Sequence, residues 1–328
     1  MTTLVLLAAL TSCAAAGPPA ADAPLVLERS IPLPGVTGRI DHLAIDPAGA
    51  RLFVAALGAN RVEVIDLRQG RRVAEIEGQA EPQGLAWLAA RRELIVASGD
   101  GQVGFYGGEP LRPLAKLRLG DDADNIRIAP ESDRPVVGYG GGALAILDPE
   151  RRAVVATVRL PGHPESFRFD GARAYVNVPD AARIVVADLG SGREIASWPT
   201  PGARWNFAMA LDAPRRVLAV VFRLPARLRL IEPATGRTLA DLATCGDVDD
   251  LFFDPPRRRL YVICGSGGVD VFQATGDADY RRVARVTTRP GARTGFFSPE
   301  TDRLYVAARA QGDAPAAILV YRPARSAP

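Results

Sequence analysis

Carboxylates set directly before short apolar runs are the residues of this chain with the most chemistry to offer. Asp41-His42, Asp124-Asn125, Glu165-Ser166 and Asp249-Asp250 stand in this way, and Gln83-Gly84, Trp205-Asn206 and Thr294-Gly295 occupy the same kind of place. Arg39, Arg204 and Arg293 lie beside three of these pairs, and the two histidines, His42 and His163, fall in the same segments. Carboxylates, amides, imidazoles and guanidiniums gathered together suit a hydrated ion or a small polar ligand, because such groups are costly to confine unless something satisfies them. The same oxygen donors suit a hard cation that polarises an ester or lactone carbonyl. A purely structural use competes with both: Asp and Asn at strand starts satisfy turn donors, and Asp beside Arg forms an ion pair.

Other chemistries lack their residues. The sequence contains no C-x-x-C-H, no C-x-x-C, no G-x-S-x-G and no P-loop, and the glycine runs "GYGGGALA" and "CGSGGVD" precede strand-like segments, so no helix N-terminus is there to hold a phosphate. The 40 basic and 37 acidic residues leave a formal charge of +3, with the basic residues scattered, which excludes a nucleic-acid footprint. The 48% hydrophobic and 23% charged composition over 328 residues is that of a globular protein with a substantial core.

The elements that position these residues repeat at about 40 residues, the spacing of propeller blades. Each copy reads as an apolar run, a turn, an R-x-L-Y-V-like run, a Gly/Asn/Asp turn, a V-x-V-I-D-like run, and a last strand; the first is "DHLAIDPAGARLFVAALGANRVEVIDLRQGRRVAEIEG". The runs are short, β-branched or aromatic, and bounded by Gly, Pro, Asp or Asn, as strands are. The last copy ends on its third strand, "ILVYRP", while an orphan strand, "PLVLERSIPL", precedes the first. A closed all-β ring of seven four-stranded blades follows, with the N-terminal strand completing the last blade and removing an open sheet edge. The expected blades are 39–78, 79–120, 121–161, 162–202, 203–245, 246–290 and 291–323 with 24–36, followed by a tail at 324–328.

"RLFVAALGANRVEVIDL" and "RLYVICGSGGVDVFQ" resemble the YVTN, or YncE-like, bacterial seven-bladed β-propellers, over essentially everything after residue 24. The resemblance implies the fold and leaves the function open, since this architecture carries many activities. By analogy with propeller lactonases of the gluconolactonase group, Glu165, Asn125, Asn206 and Asp250 offer oxygen ligands for a divalent cation such as calcium.

In a propeller the first strand of each blade lines the central channel, and whatever precedes it converges on one mouth. The expected ligand-binding set is therefore Asp41, His42, Asp124, Asn125, Glu165, Arg204, Asn206, Asp249, Asp250 and Arg293. His42 and His163, in blades one and four, are expected roughly opposite each other. Leu43, Ile126, Phe167, Phe207, Leu251 and Phe296 read as core packing rather than pocket lining.

The N-terminal "LVLLAALTSC" reads as an export signal too short to span a bilayer, and Leu10-Thr11-Ser12-Cys13 resembles a lipobox, which implies a lipidated Cys13 at the mature N-terminus. Cleavage after the following alanines is the alternative. Residues 1–13 are then a leader and 14–23 a tether. Cys245 and Cys264 remain as one pair for an oxidising compartment, and a disulfide between them is expected. The resulting expectation is a monomeric binding module of the periplasmic cell envelope. It takes a small polar ligand or an envelope protein, uses no cofactor, and meets the membrane only through its anchor. The alternative is a metal-assisted lactonase or ester hydrolase.

Overall fold

A computed structural model describes residues 23–324. The expected leader, Cys13 and most of the tether and tail lie outside the described residues. The chain forms seven four-stranded antiparallel sheets, six of them consecutive strands in chain order and the seventh built from Gly295–Ser298, Arg303–Ala308, Ala316–Pro323 and the N-terminal Leu25–Leu33. It is a seven-bladed β-propeller.

Burial explains the arrangement. Second strands such as Leu94 in Glu93–Ser98 or Tyr261 in Arg259–Cys264 are buried throughout, because both faces pack against neighbouring blades. Outermost strands such as Arg71–Ile76 and Arg193–Pro199 are mostly exposed or half-buried. The core is thus a set of apolar layers between blades. Turns after the innermost strands repeat one device: Asp46 accepts from Gly49 N (3.0 Å) and from Arg51, and Asp254 accepts from Arg257 through both backbone (3.3 Å) and side chain (3.1 Å).

The innermost strands are Leu43–Asp46, Pro82–Leu88, Ala123–Ala129, Phe167–Asp170, Arg204–Asp212, Val248–Asp254 and Gly295–Ser298. Each runs from the mouth face to the far face. In the last blade Ala316–Pro323 runs the same way, and Leu25–Leu33 returns beside it, with Leu25 opposite Pro323 and Leu33 opposite Ala316. Ala324 N donates to Pro24 O at 2.9 Å, and the buried Arg259 donates to the carbonyls of both Pro24 (3.2 Å) and Ala324 (2.8 Å). The two ends of the described chain therefore leave side by side on the face opposite the mouth.

Cys245 and Cys264 are joined in a disulfide, with Cα atoms 5.8 Å apart. It pins the loop leading into the innermost strand of blade six to the end of that blade's second strand.

Candidate functional site: the polar mouth of the channel

Counting back five residues from the last residue of each innermost strand gives one side chain per blade: Asp41, Gln83, Asp124, Glu165, Phe207, Asp249 and Arg293. All seven line a cavity of about 210 Å³ at the mouth. Backbone pairing fixes this ring. Asp41 N donates to Ala55 O (2.8 Å) and Glu165 N to Asn177 O (2.9 Å). In blades two, three, five and six the ladder shifts at this level, and a non-glycine residue with left-handed φ stands two positions before the ring: Glu81 (φ 54°), Asp122 (44°), Trp205 (61°) and Asp247 (59°). Such bulges re-aim side chains beside sites. Below Gln83, a Cβ on Gly84 would collide with the Asp124 carbonyl oxygen, so only glycine lets blades two and three approach there.

Two blades differ from the sequence reading. In blade five the ring position belongs to Phe207, because the innermost strand starts early, at Arg204, and is bulged between Asn206 and Ala208. Trp205 is 51% exposed. Arg204 is exposed opposite Leu224, outside the cavity, and Arg223 takes the cationic place expected of it. In blade seven the pairing of Gly295 with Val306 puts Arg293-Thr294, not Thr294-Gly295, at the mouth. The expectation that Phe207 and Phe296 are core is also corrected: both are half-buried and line the channel, Phe207 above and Phe296 below. Leu43, Ile126, Phe167 and Leu251 are buried, although Leu43 and Ile126 also touch the lower cavity.

The second tier splits. Asn125 reaches Asp124 (3.3 Å), and its buried Oδ1 has no partner among the described residues. Asn206 is wholly buried between blades four and five, where its Nδ2 donates to Asn177 Oδ1 and Arg183 O, both at 3.0 Å. Asp250 accepts from Gly295 N (3.0 Å) and faces His42 Nδ1 at 3.3 Å, while the other ring nitrogen of His42 is 3.8 Å from Asp41. Glu165, Asn125, Asn206 and Asp250 therefore do not converge on one point. Among the described His, Cys, Asp and Glu side chains, Asp124, His163 and Glu165 form a group whose ligand atoms all lie within 4.8 Å of one another.

Electrostatics divides the mouth. On one side Asp249 is held between Arg223 and Arg293 (2.8 Å), Arg293 also meets Asp247 at 2.8 Å, and the Arg223 guanidinium stacks 3.8 Å from the Phe207 ring centre. Burial nevertheless pushes the Asp249 carboxyl up, against both arginines. On the other side Glu165 makes no side-chain hydrogen bond or ion pair among the described residues, and burial together with neighbouring Asp124 raises its carboxyl well above the usual range. His163 Nδ1 lies 2.7 Å from Gly140 O, and Nε2 lies 3.8 Å from Asp124. Burial opposes charge on this ring, but Asp124 and the Gly140 carbonyl push it up to about 9. Against burial, His163 and His42 hold Asp124 low. Burial raises Asp41 to about 6, with His42 opposing and Asp124 adding to the rise. At neutral pH the mouth thus holds two imidazolium ions, His42 and His163, and a Glu165 carboxyl that burial and Asp124 shift towards its protonated form. Among the charged residues lining this cavity, Arg39, Asp122, His163 and Arg223 stand outside the expected ligand set. Arg223 was discoverable from "VVFRLP", at the loop joining second to third strands on the same face.

No protein-family profile matches the sequence. Among solved structures, a chain of Kuenenia stuttgartiensis hydrazine synthase superimposes with a TM-score of 0.75 at 18% identity, over 89% of this chain and 99% of that one. A chain from the mitotic checkpoint complex gives 0.77 at 17% identity, over 98% and 99%. At these identities the likeness is one of fold: the chain is a seven-bladed β-propeller with a polar mouth, and its chemistry must come from its own residues.

Proposed function

We propose that this protein is a binding module whose mouth takes a small polar ligand presenting a cationic group to Glu165 and Asp124. The observation that carries the reading is Glu165: a half-buried carboxyl, aimed into the cavity, with no partner among the described residues and with its charged form disfavoured by burial and by Asp124. An ammonium group placed beside it favours the charged carboxylate and relieves the repulsion with Asp124. The opposite wall, where Arg223 and Arg293 stand, can receive an acceptor on the same ligand. Differential scanning fluorimetry with putrescine and with arginine as probes tests this. Stabilisation that grows as pH rises, and that Glu165→Gln removes, is expected; no response to either probe, or an equal response in the variant, would overturn it.

A second reading rests on the Asp124, His163 and Glu165 cluster, which has the spacing of a divalent-cation site. In that case the metal-assisted lactonase or esterase chemistry centres on these three rather than on the Asn206 and Asp250 set. Stoichiometric zinc or manganese retained by the purified protein, with loss in His163→Ala, would favour it.

The YVTN-like repeats, the "LVLLAALTSC" leader and the Cys245–Cys264 disulfide support an exported envelope protein, tethered through a lipid on Cys13. Because the described chain ends leave on the far face, such a tether presents the mouth away from the membrane.

A further inference from the structure

Below His42 and Asp250 the channel widens into a second cavity of about 330 Å³ with a different lining. Three residues after the ring position, six of the seven blades turn a side chain to this cavity. At this level blades three and four carry Arg127 and Arg168, blades six and seven carry Phe252 and Phe296, and blades one and two carry Ala44 and Ala86. Blades three and four stand across the ring from blades six and seven, so two guanidiniums look at two aromatic rings. The Phe252 and Phe296 ring centres are 6.1 Å apart, and Trp87 extends the apolar wall.

Both arginines are half-buried in the channel without a carboxylate partner. Arg127 donates one N–H to Ile126 O (2.7 Å), and Arg168 donates to Phe167 O (2.7 Å) and Ser166 Oγ (3.0 Å). Among the described residues neither forms an ion pair, and the remaining donors of each fork have no protein partner. The acid nearest in charge, Asp250, is already matched by His42 and Gly295 N. Asp250, shared with His42, favours the charge of both guanidiniums without forming an ion pair with either. Burial and the neighbouring Arg127 push Arg168 down to about 9, with Asp250 opposing, which still leaves it charged at neutral pH.

We propose that this lower cavity is a second binding site, for a small aromatic carboxylate whose anionic end lies against Arg127 and Arg168 and whose ring packs on Phe252 and Phe296. Planar guanidinium forks match a carboxylate in two-point geometry. The apolar wall gives a ring a place that a hydrated inorganic anion could not use, and the cavity volume lies at the small end for ligand pockets, which suits a single-ring acid. The site is separate from the mouth, with His42 and Asp250 forming the partition between them.

Isothermal titration with phenylacetate, phenylacetamide and inorganic phosphate as probes tests it. Phenylacetate should bind the wild type about tenfold or more tightly than the uncharged amide, with phosphate weaker still. Arg127→Gln and Arg168→Gln should each weaken phenylacetate by about tenfold or more, while Arg112→Gln, on the exposed outer strand of blade two, leaves it unchanged. Phe252→Ala should weaken it without restoring amide binding. Equal affinity for acid and amide would overturn the proposal, and that comparison needs no variant to fold. Undiminished binding in both arginine variants, or phosphate binding as tightly as phenylacetate, would overturn it as well.

Discussion

His42 sits where two carboxylates reach it and little water does. Burial opposes its charge, yet Asp250 at 3.3 Å, then Asp41 and Asp124, push its imidazole up to about 10. A folded-state value above the ordinary 6.5 means that the fold holds the protonated form. Its stabilisation is complete below about pH 6.5 and is lost as pH rises through about 10. His163 contributes in the same direction, but only through about 9. His42→Gln should therefore flatten the fall in melting temperature above about pH 9, and it should cost about 3–5 kcal/mol at neutral pH by leaving Asp250 buried and uncompensated. Melts of wild type and variant across that range check both; a variant with the wild-type slope would place the alkaline transition on another group.

At the scale of single elements, the loop leading into blade six is the most constrained part of the mouth. The disulfide anchors one end, Cys245 N donates to Asp270 at 3.0 Å, and Arg293 and Arg223 grip Asp247 and Asp249. Closing a loop with a sequence separation of 19 residues stabilises by about 3 kcal/mol in the chain-entropy model. The Cys245→Ala, Cys264→Ala variant should lose about that much in denaturant melts, while the wild type under reducing conditions falls to the same level. How the sequence was legible differs from blade to blade for a physical reason. Where the apolar run begins two residues after the ring residue, as at Asp41 or Glu165, the start of the run locates the residue that lines the mouth. In blade five "RWNFAMALD" carries a bulge inside the run, so its start says nothing about facing. Counting from the turn aspartate, Asp212, gives Phe207, because the turn and not the run fixes the register. The deeper arginines were readable too, as charges interrupting otherwise apolar strands at Arg127 and Arg168. Which partners they lack is a property of three dimensions, not of spacing.

The repeat makes the whole molecule legible in the sequence, because seven copies of one strand pattern with a displaced terminal strand admit few other closed arrangements. Leu25, Ile31 and Leu33 of the closing strand are buried. Burying each is worth about 1.5–3 kcal/mol, so together they approach the stability of a whole domain. Deleting Leu25–Leu33 should leave the Ala316–Pro323 edge bare and give aggregated or non-cooperatively melting protein, whereas a chain starting at Pro24 should melt as the full chain does. Light scattering and calorimetry separate the two, and a soluble, cooperative deletion variant would show that the ring does not depend on its seam. That seam also has a direction. Leu25 lies opposite Pro323 where the ends leave together, so tension applied between the two ends would load their hydrogen bonds one pair at a time, from Pro24 and Ala324 inward. Pulled in that way the molecule opens like a zipper rather than shearing along the strand, and a ring that is closed against heat is weak against a force on its own ends.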